Sequence, residues 1–114
     1  MKHELRLSGT GGQGLILAGI ILAEAALLDG KLAIQSQSYG PEARGGSSKS
    51  EVIISEDAIH FPKVTKPDLL LAMSQEAANK YSHDLTKDSV MITDSLFVSE
   101  VPDFGGKVYE LPIT

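Results

Sequence analysis

Leu5 and Leu7 alternate with Arg6 and Ser8 near the start of the chain, the two-residue period of a β-strand with unlike faces. Gly9-Thr10-Gly11-Gly12-Gln13-Gly14 interrupts that pattern, and a helical one begins at Leu15. The order predicted is strand, glycine loop, helix. In the helix Leu15, Ala18, Gly19, Leu22 and Ala26 trace one face, while Ile16, Ile20, Ala23 and Leu27 make the neighbouring face apolar too. Little of such a helix suits water, so a sheet is expected beneath it and a second cover above it, supplied by another chain.

Asp29-Gly30 ends the helix, and Lys31 to Gln35 reads as a short second strand. From Gln35 to Ser50 there is no apolar period; the glycines, Pro41 and serines there suit a long loop, of a length that is functional or disordered in compact domains. Val52 to Ile54 and Ala58 to Phe61 read as a short β-hairpin closed by Pro62, followed by a helical or irregular crossover. The continuous apolar run from Asp68 to Met73 suits a mid-sheet strand buried on both faces. Ser74 caps a helix carrying Ala77, Ala78, Tyr81 and Leu85, and Val90 to Ile92 and Val108 to Leu111 supply two more strands. Strands alternating with helices predict an α/β fold: a Rossmann-like, mostly parallel sheet flanked by helices, with one short β-hairpin.

The chain has 114 residues, which suits a single α/β domain over residues 1–114. Hydrophobic residues at 42% and charged residues at 22% are globular values. The net charge of -5 argues against a phosphate-backbone footprint, so nucleic acid is not expected as a partner. With no cysteine, neither a disulfide framework nor a thiolate metal or iron-sulfur site arises from this chain alone. Leu15 to Leu28 contains Glu24 and falls short of the roughly 20 residues that span a bilayer. No export pattern opens the sequence, and a cytoplasmic location without membrane attachment is expected.

Two clusters hold the candidate chemistry. Gly9, Gly11 and Gly14 have G-x-G-x-x-G spacing after a strand and before a helix, where missing Cβ atoms let backbone N–H groups and the helix dipole approach an anion. The other reading is a tight turn with close helix packing. The dinucleotide form of the motif wants an acidic residue at the end of the second strand, about 20 positions on. Gln35, Ser36 and Gln37 stand there, and Asp29 has the count but sits at the helix end. In the second cluster, Arg44 lies between Ala43 and Gly45-Gly46 and offers a planar fork to an anion; its alternative is an ion pair with Glu42 or a neighbouring chain. His3, His60 and His83 lack metal-ligand spacing, and no nucleophile, base and orienter arrangement is present.

Taken together, Gly9 to Gly14, Ser38-Tyr39-Gly40-Pro41-Glu42-Ala43-Arg44-Gly45-Gly46 and Val52 to Ser55 resemble the gamma subunit of the 2-oxoacid:ferredoxin (acceptor) oxidoreductases. The likeness runs through Asp68 to Ser74 to the end of the chain, and Glu42 to Gly46 and Leu71 to Ala77 favour the 2-oxoglutarate branch over pyruvate. The resemblance implies an assembly that oxidatively decarboxylates a 2-oxoacid onto coenzyme A and reduces ferredoxin. It places thiamine diphosphate, magnesium and iron-sulfur clusters in partner subunits, alpha, beta and in many members a small ferredoxin-like one, and leaves this chain alone inactive, without catalytic or metal-binding residues. It puts Gly9, Gly11, Gly12, Gln13, Gly14, Tyr39, Gly40, Arg44, Gly45 and Gly46 near coenzyme A or the subunit junction. It also implies a further C-terminal helical portion, making 1–114 an N-terminal part of a longer subunit, in a homodimer or hetero-oligomer. A stand-alone nicotinamide or flavin protein and a purely structural interaction subunit are the competing readings.

Overall fold

The computed structural model describes residues 2–10, 14–39, 47–57, 64 and 67–113. Six strands and two helices follow in chain order: β1 (Lys2–Thr10), α1 (Leu15–Leu28), β2 (Leu32–Tyr39), β3 (Ser47–Ser55), β4 (Leu69–Ala72), α2 (Gln75–Tyr81), β5 (Val90–Asp94) and β6 (Lys107–Leu111). They form one sheet of order β2-β3-β1-β4-β5-β6. β1, β4, β5 and β6 pair in parallel, and β3 lies antiparallel to both β1 and β2. Because β3 alone opposes its neighbours, the other strands share one direction, the mostly parallel α/β sheet expected.

The second strand and the long loop need correction. Gln35 to Tyr39 continues β2, and Ser47 to Ser50 opens β3, so much of the expected loop is ladder. The physical reason lies in α1. Gly19 sits so close to the sheet that a Cβ there would collide with Ser50 Oγ, and small polar residues fit beneath the helix where larger apolar ones would not. Ser50 is fully buried and accepts a 3.2 Å hydrogen bond from Gln35 Nε2. The hairpin is therefore β2 with β3. Val52 to Ile54 has β1 on one edge and β2 on the other; Ala58 to Phe61, the other arm expected, lies outside the described residues.

Paired residues share a face of a sheet. Leu7, the partner of Ser50, therefore lies on the α1 side, while Arg6 and Leu70 lie on the α2 side. On the α2 side Leu70, Ala77, Tyr81, Leu85 and Met91 form a buried core with Val101, Phe104 and Val108 packed against it. Ser74 caps α2 as expected, its Oγ accepting from Ala77 N–H at 3.1 Å. On the α1 side, among the described residues, the helix packs mainly on β1, β2 and β3. Leu69 and Leu71 are half-buried and Tyr109 is 50% exposed, so β4 is central in the sheet but buried fully on its α2 side alone. The helix itself buries Leu15, Gly19 and Ala26, and turns Leu17, Ile21 and Leu28 outward. No helix among the described residues is long and apolar enough to cross a membrane.

The polar side of β1 is buried against α2. Arg6 is 3% exposed. Its Nε donates to Glu51 Oε2 at 2.7 Å, and its Nη1 donates to Asp84 Oδ1 at 2.7 Å and to the Tyr81 carbonyl at 3.1 Å. Burial works against the guanidinium charge, but the bonds and attraction from Asp84 and Glu51 outweigh it and raise the pKa above the ordinary arginine value. One side chain thus ties β1 to β3 and to the segment after α2. Arg6→Ala leaves two acids facing a buried void and is expected to cost about 3–5 kcal/mol in urea unfolding; a variant as stable as the parent would contradict this role.

Candidate functional site

The first candidate residues sit where β1 hands over to α1. Gly9 is within β1, paired with Ser48, and Gly14 is the N-cap of α1 with φ +79°. Ala18 N–H donates to the Gly14 carbonyl at 2.9 Å, so the helix starts at once. The left-handed backbone explains a glycine at this position, since a Cβ is disfavoured there. Gly14 has no side chain to cap the first-turn N–H groups, and no acidic residue stands in that turn. The first turn of α1 therefore takes no side-chain cap from Gly14 and carries the positive end of the helix dipole. Among the described residues beyond its chain neighbours, no heavy atom lies within 4 Å of the position a Gly14 Cβ would take.

The second cluster enters through the ladder. Tyr39 pairs with Ser48, Ser48 with Gly9, and Ser47 with Thr10. The carboxyl ends of β1 and β2 and the amino end of β3 therefore lie on one edge of the sheet. The chain leaves Thr10 toward Gly11 and reaches Ser47 from Gly46, so the glycine loop and the Arg44 segment start from a paired couple of residues. Adjacent strands are about 5 Å apart, and Arg44 is three residues from Ser47, a span of about 10 Å at most. Gly11, Gly12, Gln13, Gly40, Arg44, Gly45 and Gly46 themselves lie outside the described residues. The anchors of both loops lie on one edge of the sheet, with β3 standing between β1 and β2.

That inserted strand also bears on the dinucleotide reading. An acidic residue at the end of the second strand holds a ribose beside the first strand. Here β2 ends in Gln37, Ser38 and Tyr39 and is one strand removed from β1. On the other side of β1 lies β4. α1 follows β1 onto one face and α2 follows β4 onto the other, which makes the boundary between β1 and β4 a topological switch point, where open α/β sheets place their crevice. Sequence reasoning missed this position for Met73, because strand order is not written in the local pattern.

The family of pyruvate ferredoxin/flavodoxin oxidoreductases matches residues 4–114. The 2-oxoglutarate synthase subunit KorC of Methanocaldococcus jannaschii is 54% identical over 117 aligned residues, which cover 100% of this chain and 63% of that protein. The gamma subunit of a keto/oxoacid ferredoxin oxidoreductase from Geobacter sulfurreducens superposes with a TM-score of 0.88 at 52% identity, covering 99% of this chain and 62% of that one. The fold also matches a 2-oxoglutarate:ferredoxin oxidoreductase from Magnetococcus marinus, solved with 2-oxoglutarate, coenzyme A and succinyl-CoA, at TM-score 0.84 and 23% identity, over 97% of this chain and 20% of that one. The chain thus spans less than two thirds of the length of these proteins.

Gly14 allows a direct check on the opening of α1. Gly14→Ala meets no steric obstacle, so its expected cost of about 1–2 kcal/mol is that of the left-handed backbone alone. Gly14→Asn should lose less, since asparagine tolerates that conformation. Equal stability of the alanine and glycine chains in thermal unfolding would contradict the positive φ.

Proposed function

This chain belongs to the pyruvate ferredoxin/flavodoxin oxidoreductase family, and on that footing we propose that it acts within the gamma subunit of a 2-oxoglutarate:ferredoxin oxidoreductase. The assembled enzyme oxidatively decarboxylates the 2-oxoacid to its acyl-coenzyme A and reduces ferredoxin. The 54% identity to a 2-oxoglutarate synthase subunit supports the choice of oxoacid. Thiamine diphosphate, magnesium and the clusters belong to alpha, beta and ferredoxin-like partners in this reading; a chain without cysteine offers a cluster no thiolate.

The part assigned to this chain is to hold coenzyme A. The observation that carries it is the shared edge, on which Thr10 pairs with Ser47 and Tyr39 with Ser48. In this reading the diphosphate is held by the N–H groups opening α1, and Arg44, three residues before Ser47 in the sequence, is assigned as its second partner. N–H donors and a planar cation suit phosphate oxygens. The role is binding and orientation, with no proton or electron transferred by this chain's own groups. The exposed Leu17, Ile21 and Leu28 of α1, and the half-covered face of β4 to β6, are where further protein is proposed to pack.

In the assembled enzyme, Arg44→Ala is expected to raise the KM for coenzyme A about tenfold, the scale of one charge-assisted hydrogen bond, with the subunits still associated. Arg44→Lys should recover only part of the loss, because an ammonium keeps the charge and not the fork. Unchanged coenzyme A kinetics together with dissociation of the subunits would make Arg44 an interface residue instead.

A further inference from the structure

The crevice beside the glycine loop has a second wall, formed where β4 passes into α2. Met73 N–H donates to the Ser8 carbonyl at 2.9 Å, which continues the β1/β4 ladder one residue past the Ser8–Ala72 pair. Met73 consequently stands beside Gly9. Alternation along β4 puts it with Leu69 and Leu71 on the α1 side, at the carboxyl edge from which the glycine loop departs. Gly9, buried and without a side chain, stands in the sheet between Met73 and Ser48, its partner on β3.

The neighbours of Met73 are already engaged. Ser74 Oγ accepts from Ala77 N–H and so caps α2. Gln75 Oε1 accepts from the Ser99 and Glu100 N–H groups at 2.9 Å each, and its Nε2 donates to the Glu100 carbonyl at 2.6 Å. Ser8 Oγ, on the opposite face, donates to the Leu71 carbonyl at 2.9 Å. Met73 is half-buried and forms part of neither buried core cluster. A flexible, polarisable thioether in such a place suits an apolar or aromatic surface, and it offers nothing to a charged group.

We infer that Met73 is a ligand-positioning residue, packing against the uncharged part of coenzyme A next to the phosphates held by the glycine loop. The inference rests on the coenzyme A reading of that loop. Both the adenine ring and the pantetheine arm adjoin phosphates and share the chemistry a thioether recognises.

The test is steady-state kinetics of the enzyme assembled from all its subunits. Met73→Ala is expected to raise the KM for coenzyme A about three- to tenfold, the range of a lost thioether contact, with kcat unchanged. Met73→Leu should restore most of it. Met73→Gln keeps the length while removing the soft apolar contact, and replaces the alanine variant if that chain does not assemble. With 4′-phosphopantetheine in place of coenzyme A, a persisting defect assigns the contact to the pantetheine arm and a vanishing one assigns it to the nucleoside. If the alanine and glutamine variants leave the KM unchanged while Arg44→Ala raises it, the role of Met73 is refuted and the site stands. If Arg44→Ala is silent as well, the coenzyme A reading falls with it.

Discussion

The arrangement of the candidate site depends on the antiparallel insertion of β3 between β1 and β2. Register in a sheet is quantised, since a slip by one residue turns every side chain to the other face. Here the register is locked from both faces at once. Ser50 lies under Gly19 of α1 on one side, and Glu51 binds Arg6 on the other. Those contacts hold Ser48 between Gly9 and Tyr39. A shifted β3 would bury a larger side chain under Gly19, take the carboxylate away from Arg6, and separate the ends of the two loops.

The two faces of the sheet are finished differently. The α2 face is closed by an apolar core and by a charged cluster in which one guanidinium meets two carboxylates and a carbonyl. Such a cluster gives specificity of pairing more than net stability, because desolvation offsets much of the attraction. The α1 face is closed mainly over three strands among the described residues, and the helix that closes it is apolar on its outer side. The chemistry proposed for the chain falls at the edge between these faces, where β1 and β4 send their connections in opposite directions.

Much of this was legible in the sequence. The bounds of α1, the cap at Ser74, the central place of β4 and the positions of β5 and β6 follow from period and capping, because those segments obey the local rules that predict them. The strands from Gln35 to Tyr39 and from Ser47 to Ser50 were hidden, since they carry no apolar period; Gln35 and Ser50 answer instead to the close approach of Gly19, a tertiary demand. The burial of Arg6 was not legible, because two-residue alternation marks unlike faces without saying what covers each. In the site, the spacing of Gly9, Gly11 and Gly14 pointed to an anion-binding turn or to a tight turn with close helix packing, and the left-handed Gly14 suits both. The neighbourhood of Met73 depends on strand order, which no local pattern encodes.

The central claim is that coenzyme A is held on the edge shared by β1, β2 and β3. Hydrogen–deuterium exchange on the assembled enzyme, with and without coenzyme A, tests it most directly. Slower exchange in peptides covering Thr10 to Leu15 and Gly40 to Ser47, with the remainder of this chain little changed, is the expected result. Unchanged exchange in both segments, with protection confined to partner subunits, would contradict a coenzyme A site on this chain.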